Sequence, residues 1–234
     1  MIGWKPKPFI FVHIPKSAGT SIEKALIPIV SQHNDFKDFL EAERCKFWLP
    51  GNKGLQHSKL RRYEQHFKLD EYFKFAFVRN PWDRAISQIE YLRSKAHAAI
   101  FAKKTIKEQI QVYCSTKSNI WGQDLGACQL DYLKDDSGKI KIDFVGRFES
   151  LGVDFIKICA MIGIDPVPNL PHIFNSNRGL HYSEYYDAES ANWIGGRFSK
   201  DIHYFGYNFE TPGAARQNLS NALHIEQQTI IFNQ

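Results

Sequence analysis

Three short apolar runs, each followed by a loop and a helical pattern, constrain the fold of this chain more than any other feature. They lie at residues 9–13, 73–78 and 144–146. The segment after the first run carries Ile22, Ala25 and Leu26 at helical spacing, and similar patterns follow the other two runs. Parallel strands need such crossovers, and the helices cover both faces of the sheet. The sequence therefore predicts a three-layer α/β fold with a mainly parallel central sheet flanked by helices.

Proline, aspartate and glycine indicate where the helices begin and end. Pro81 and Asp83 suit a first helical turn, because proline has no N–H to lose there and a carboxylate meets the positive end of the helix dipole. The helix after the third run should end before Pro166. A fourth helix is expected to follow Asp187 and to end at the glycine pair 195–196.

Length and composition favour a single domain. The chain has 234 residues, of which 43% are hydrophobic and 14% aromatic, which is enough for one substantial core. Aromatic residues become sparse after Thr211 and return only at Phe232. We therefore expect one domain over residues 1–210 and a peripheral C-terminal tail over residues 211–234.

The positive charges are spread along the chain rather than gathered in a tail. The formal net charge of +5 favours anionic partners. Because there is no basic run, a nucleotide or an acidic sugar is expected rather than nucleic acid. The first apolar run is too short to span a bilayer and no cleavable signal precedes it, so the sequence predicts a cytoplasmic protein without membrane association. It indicates no oligomeric state.

The first candidate anion site is the segment Pro-Lys-Ser-Ala-Gly-Thr-Ser at residues 15–21, between a predicted strand and a predicted helix. At such a junction, backbone N–H groups and the helix dipole converge on an anion. Gly19 would allow close approach of the backbone, and Lys16 would supply a mobile charge. A helix cap beside a solvated lysine explains the same residues equally well. Lys16 precedes Gly19, which is the reverse of the order in a nucleoside-triphosphate loop.

The second candidate anion site combines Arg79 with Ser87. Arg79 ends the second predicted strand, and Ser87 lies on the helix that follows. If the loop folds the arginine back onto that helix, a guanidinium and a hydroxyl can grip one phosphate. An arginine paired with a carboxylate is the competing interpretation. Two separate sites would suit a ligand with two separated anionic groups.

Several segments resemble motifs of the sulfotransferase superfamily, most closely the family that includes carbohydrate sulfotransferases and bacterial homologues. Residues 11–21, Phe-Val-His-Ile-Pro-Lys-Ser-Ala-Gly-Thr-Ser, resemble its 5′-phosphosulfate loop. Residues 74–84, Lys-Phe-Ala-Phe-Val-Arg-Asn-Pro-Trp-Asp-Arg, resemble its 3′-phosphate motif, which continues to Ser87. Further similarity lies at residues 143–149, 185–187 and 201–207. The motifs occur in the family's order and span about residues 8–210.

The resemblance implies a fold related to that of the P-loop nucleotide kinases. It also implies PAPS (3′-phosphoadenosine-5′-phosphosulfate) as the sulfuryl donor, PAP (adenosine 3′,5′-bisphosphate) as a product, and no required metal. The residues implied to hold the 5′-phosphosulfate end are Lys16, Ser17, Ala18, Gly19, Thr20 and Ser21. Arg79 and Ser87 are implied to hold the 3′-phosphate. Arg147, in another similar segment, either reaches the nucleotide or braces the sheet edge by pairing with Glu149 or Asp143.

His57 is the expected catalytic base. Sulfuryl transfer needs one group to take the proton of the acceptor hydroxyl and another to stabilise the leaving phosphate oxygen. Residues 55–60, Leu-Gln-His-Ser-Lys-Leu, resemble the loop in which related enzymes carry a catalytic histidine. Lys16 is expected to serve the leaving group. Glu149 and Glu64 are alternatives to His57 as the base.

The sequence thus predicts a sulfotransferase that moves a sulfuryl group from PAPS to a hydroxyl of an acceptor, expected to be a saccharide. A kinase-like phosphotransferase is one alternative, although no Mg²⁺-binding aspartate is evident after a second strand. A non-catalytic PAP-binding protein is another. Loops around residues 46–62, 96–104, 114–129 and 169–182 are expected to choose the acceptor.

Overall fold

A computed structural model describes residues 2–3, 7–30, 57–65, 67–94, 98–116, 124, 126–171 and 178–211. The strands in these ranges are β1 (Ile2–Gly3), β2 (Phe9–Val12), β3 (Phe73–Val78) and β4 (Phe144–Arg147). The α-helices are α1 (Gly19–Val30), α2 (Leu60–Glu64), α3 (Pro81–Arg93), α4 (Ala98–Phe101), α5 (Ile106–Ser115), α6 (Leu151–Ile162), α7 (Ala188–Arg197) and α8 (Ser199–Phe205). Short 3₁₀ helices occur at Leu69–Glu71, Gln129–Tyr132, Phe148–Ser150 and Tyr182–Tyr185.

The sheet has the strand order β1-β2-β3-β4. β1 runs antiparallel to β2, whereas β2, β3 and β4 are mutually parallel. In this register Val12 lies opposite Ala76, so β2 and β3 end at the same edge of the sheet. The predicted α/β class, with a mainly parallel sheet flanked by helices, is confirmed. Both candidate anion loops therefore begin at one edge.

The central strands are buried on both faces, which explains their largely apolar sequences. Lys74, the second residue of β3, is the charged exception. Its Nζ donates to the carbonyl of Tyr72 at 2.7 Å and lies 2.7 Å from a carboxylate oxygen of Asp143. The buried cation is therefore paired, as burial of a charge requires.

Local capping chemistry fixes the beginning of α3. Pro81 is its first residue, and the side chain of Asn80 accepts a hydrogen bond from the N–H of Trp82 at 3.1 Å. Asp83 lies in the first turn. The predicted positions of Pro81 and Asp83 are therefore confirmed, and α3 leaves the sheet edge directly after the second candidate anion loop.

The predictions for the later helices were partly correct. α6 ends at Ile162, with Gly163 as its C-cap, before Pro166, as expected. α7 begins after Asp187, whose side chain accepts from the N–H of Ser190 at 2.8 Å. It continues through the glycine pair to Arg197, so the predicted end at residues 195–196 was wrong. Ile194 is buried in the core and helps to offset the low helix propensity of the two glycines.

Other parts of the fold were not predicted. β1 was missed, and so was α5, although Thr105 and Glu108 form a capping box at its start. In the stretch 46–62, which was expected to be a loop with some helix, residues up to 56 lie outside the described ranges, and α2 begins at Leu60. Residues 212–234 also lie outside them, so the division at residue 210 stays a prediction.

Among the described helices, none is both long and apolar enough to cross a membrane.

We expect Gly146→Ala to destabilise the fold. Gly146 lies opposite Phe77 in the parallel register, and a Cβ there would come within 2.5 Å of a ring carbon of Phe77. The ring is buried and can shift little, so the free energy of unfolding should fall by about 1–3 kcal/mol. Urea denaturation measures the change.

Gly152→Ala provides the matched control. Gly152 lies on α6, and an added Cβ would meet no neighbouring atom within 4 Å. Alanine should leave stability unchanged or raise it by up to about 1 kcal/mol, because alanine favours a helix. Equal effects of the two substitutions would contradict the steric argument.

Candidate functional site

The loop between β2 and α1 contains two residues in the left-handed backbone region. The φ angle is 67° at Lys16 and 64° at Ala18, values uncommon for residues other than glycine. Such a backbone can gather successive N–H groups into a concavity for an anion. Within the part of the chain that the structure describes, residues 15–18 form a turn, and the N–H groups of residues 17–20 donate no backbone hydrogen bond of good geometry. These four N–H groups at the start of α1 thus fit an anionic group.

Gly19 first makes room for a histidine ring. A Cβ on Gly19 would lie only 2.0 Å from Cδ2 of His13. His13 directly follows β2 and is buried. Its Nδ1 lies 3.0 Å from Oε1 of Glu23, outside hydrogen-bond geometry. Gly19 was expected to allow close approach of the backbone to an anion. The structure gives a further reason for glycine at this position, which is the space taken by the ring of His13.

The hydroxyl groups of the first loop differ in their surroundings. Ser17 is buried, and its hydroxyl donates to Oε1 of Gln129 at 3.3 Å. Its side chain is thus used inside the protein. Thr20 and Ser21, in the first turn of α1, are half-buried. Contact of Ser17, Thr20 and Ser21 with a nucleotide stays a prediction.

Arg79 joins the two candidate anion sites. Its Nη1 donates to the carbonyl of Lys16 at 3.1 Å, and its Nε donates to Oδ2 of Asp83 at 2.7 Å. Its guanidinium also lies 3.8 Å from the ring centroid of Phe148. The arginine does fold back onto α3, and it is also paired with a carboxylate. Ser87 is buried one turn beyond Asp83 on the same helix.

Arg178 is a member of this cluster that the sequence analysis missed. Its Nη1 donates to Oδ1 of Asp83 at 2.8 Å, and its Nε lies 3.4 Å from Oε2 of Glu90. Burial would raise the pKa of Asp83, but the guanidiniums of Arg79 and Arg178 outweigh it and hold that pKa below its usual value. One carboxylate therefore holds two cations together. No local sequence pattern could have paired residues so far apart.

Lys16 lies among these charges with a perturbed pKa. Burial lowers the pKa of Lys16 to about 8, and the positive charges of Arg79 and Arg178 contribute to this shift. The negative charge of Glu90 opposes it. Its Nζ lies 4.7 Å from the ring centroid of Tyr91. At pH 7 the ammonium group is still mostly protonated, and an anionic ligand would stabilise it further.

His57 has the geometry of a neutral base. Its φ angle is 69°, and its Nδ1 lies 3.2 Å from the carbonyl oxygen of His13. Because a carbonyl can only accept, Nδ1 carries the proton and Nε2 keeps the lone pair. Burial, with the nearby His13 and Lys16 side chains, lowers the pKa of His57 to about 3 despite opposing effects from the His13 carbonyl and Glu23. The ring is therefore neutral at pH 7.

The alternative bases make other contacts. Glu149 accepts from the N–H of Asn80 at 2.6 Å and from the hydroxyl of Tyr207 at 3.2 Å. Glu64 accepts from the N–H of Asp136 at 2.8 Å. Both carboxylates thus stabilise the surrounding backbone.

Arg147 braces the end of β4, but not through the carboxylates that the sequence suggested. Its guanidinium donates to the carbonyl of Phe205 and lies 4.7 Å from the ring centroid of Tyr207. A contact between Arg147 and the nucleotide stays a prediction. Among the described residues, no three His, Cys, Asp or Glu side chains converge where they could hold a metal ion.

A comparison with protein families identifies the family of this chain. The sequence profile of the sulfotransferase family matches residues 5–208. Among solved structures, the chain is similar to the crystal structure of a sulfotransferase from Alicyclobacillus acidocaldarius, with a TM-score of 0.43 and 17% sequence identity. That similarity covers 89% of this chain and 98% of the other. A search of curated proteins found no match.

We expect the ring of His57 to stay neutral in the ligand-free protein down to about pH 4. Its pKa of about 3 lies below the ordinary 6.5, so the folded protein binds fewer protons than the unfolded chain between these values. Its contribution to stability is complete above pH 6.5 and is lost as the pH falls from there towards 3. NMR titration of the ring nitrogens measures the pKa directly.

His57→Gln should therefore reduce the fall in the free energy of unfolding between about pH 6.5 and pH 4. His203→Gln, at an exposed position on α8, is the control and should leave that fall unchanged. An imidazole signal of His57 that titrates near pH 6 would refute the buried, neutral ring.

Proposed function

We propose that this chain, which belongs to the sulfotransferase family, moves a sulfuryl group from PAPS to a hydroxyl of a saccharide acceptor and releases PAP. Family membership establishes sulfuryl transfer in general. The single observation that supports the donor is the hydrogen bond from Arg79 to the carbonyl of Lys16 at 3.1 Å. It joins two cationic loops that are 63 residues apart in the sequence.

The two loops suit the two ends of one nucleotide. The 5′-phosphosulfate would lie at the start of α1, against the N–H groups of residues 17–20 and the ammonium of Lys16. The 3′-phosphate would lie against Arg79 and Ser87, since a guanidinium and a hydroxyl bind phosphate oxygens well. This second phosphate distinguishes PAPS from ATP.

In the transfer, the neutral His57 serves as the base and the protonated Lys16 stabilises the leaving group. Nε2 of His57 takes the proton of the acceptor hydroxyl, and that oxygen attacks the sulfur. The bond between the sulfur and the bridging oxygen of the 5′-phosphate breaks, and PAP leaves with that electron pair. Lys16 stabilises the charge that develops on this oxygen. The negative charge of the donor raises the pKa of both groups and thereby makes His57 a stronger base.

A saccharide acceptor is supported by the motifs, which resemble those of carbohydrate sulfotransferases, and by the positive net charge. The family match disfavours the phosphotransferase alternative. A protein that binds PAP without turnover differs from the proposed enzyme only in catalysis. A cytoplasmic location and activity without a metal also belong to this proposal.

Calorimetry should show binding of PAP and much weaker binding of ADP, because ADP has no 3′-phosphate for Arg79 and Ser87. Arg79→Ala should weaken PAP binding by at least about tenfold, because it removes the guanidinium charge at the 3′-phosphate. Arg62→Ala, at an exposed position on α2, is the matched control and should bind PAP normally. Equal affinity of the wild type for PAP and ADP would count against the donor assignment.

Transfer of labelled sulfate from PAPS to a library of saccharides should fall by about a hundredfold or more in Lys16→Ala and in His57→Ala. His57→Ala should still bind PAP, because His57 acts on the acceptor. Lys200→Ala, at an exposed position on α8, should transfer normally. Full turnover by His57→Ala would remove the proposed base, and PAP binding without transfer in the wild type would favour the non-catalytic protein.

A further inference from the structure

One buried amide contacts both candidate anion loops. Gln129 begins the 3₁₀ helix Gln129–Tyr132, and it is 0% exposed. Its Oε1 accepts from the N–H of Arg79 at 2.9 Å and from the hydroxyl of Ser17 at 3.3 Å. Its Nε2 donates to the carbonyl of Arg79 at 2.8 Å. Among the described residues, its side chain bonds to no other group.

The side-chain amide of Gln129 bonds to both backbone groups of Arg79, its N–H and its carbonyl. Arg79 directly follows β3, where strand pairing ends. Since its N–H and its carbonyl are both bonded to Gln129, the side chain of Gln129 replaces a neighbouring strand at this point. The position from which the guanidinium of Arg79 extends is therefore fixed relative to Ser17.

Gln129 is itself firmly anchored. The carboxylate of Asp201, buried on α8, accepts from the N–H groups of Gln129 at 2.7 Å and of Leu130 at 2.9 Å. The buried guanidinium of Arg84 also links the chain just before Gln129 to the first anion loop. Arg84 donates to the carbonyl of Pro15 at 3.1 Å and to that of Ala127 at 3.0 Å.

We infer that Gln129 is a positioning residue for the sulfuryl donor, setting the spacing between the first anion loop and Arg79. This inference rests on the proposed function. A donor with two anionic ends needs both loops at once, and a fixed spacing spares the protein from ordering them during binding. Gln129 acts through Ser17 and Arg79 and does not itself touch the nucleotide.

The test compares two buried glutamines in the whole protein. Gln129→Leu removes the amide at nearly constant volume. Gln109→Leu is the matched control, because Gln109 is 5% exposed on α5 and donates to the carbonyls of Lys104 at 2.8 Å and Phe101 at 3.3 Å. Both substitutions leave buried polar groups unpaired and should lower the melting temperature. Only Gln129→Leu should raise the Kd for PAP, by about tenfold.

The Kd is measured by calorimetry well below both melting temperatures, so that a general loss of stability does not affect it. The KM for PAPS in the transfer assay should rise with the Kd in Gln129→Leu and stay at the wild-type value in Gln109→Leu. A Kd for PAP that Gln129→Leu leaves unchanged would overturn the positioning role alone. A wild-type protein that binds no PAP would overturn the proposed function as well.

Ser17→Ala gives a milder second variant, which decides the matter if Gln129→Leu does not fold. It removes only the hydroxyl that bonds to Gln129 and should raise the Kd for PAP by about threefold. An unchanged Kd in Ser17→Ala would then contradict the inference. Where Gln129→Leu folds, adding Ser17→Ala to it should weaken PAP binding no further, because the hydroxyl acts through the amide. An equal, additive loss would instead indicate a direct contact of Ser17 with the nucleotide.

Discussion

The parallel pairing of β2 with β3 is the constraint on which the site depends. Parallel strands end at the same edge of a sheet, so the two loops that follow them are neighbours although they are far apart in sequence. Each loop then leads into a helix, α1 or α3, whose N-terminal end lies at that edge. Lys16 and Arg79 lie together at that edge because each of them follows one of these two strands.

Part of this architecture could be predicted, and the remainder depends on contacts between distant residues. β3 has the predicted bounds, because a strand buried on both faces is a largely apolar run, here with Lys74 as its one charged residue, and Arg79 and Pro81 end it. His57 was identified by its resemblance to a family motif, whereas its tautomer follows only from the carbonyl of His13. Gln129 and Arg178 could not be found from the sequence, since their partners lie at least 50 residues away and no local pattern marks them.

The site stores electrostatic repulsion in the absence of a ligand. Lys16, Arg79 and Arg178 lie close enough for the arginines to lower the pKa of the lysine, and Asp83 and Glu90 offset part of that repulsion. Such an arrangement lowers the stability of the folded chain relative to one with fewer cations. A bound anion relieves the repulsion, so the same charges that weaken the fold increase affinity for a polyanionic ligand.

The contact between Gly19 and the ring of His13 has a consequence for how this sequence can evolve. Any side chain at position 19 would overlap the imidazole, so a larger residue is tolerated only if position 13 becomes smaller at the same time. Aligned homologues should therefore show these two positions changing together. Because the ring of His13 also packs edge-on against the ring of His57, with the centroids 4.3 Å apart, a lineage that makes this exchange loses one of the contacts that orient its base.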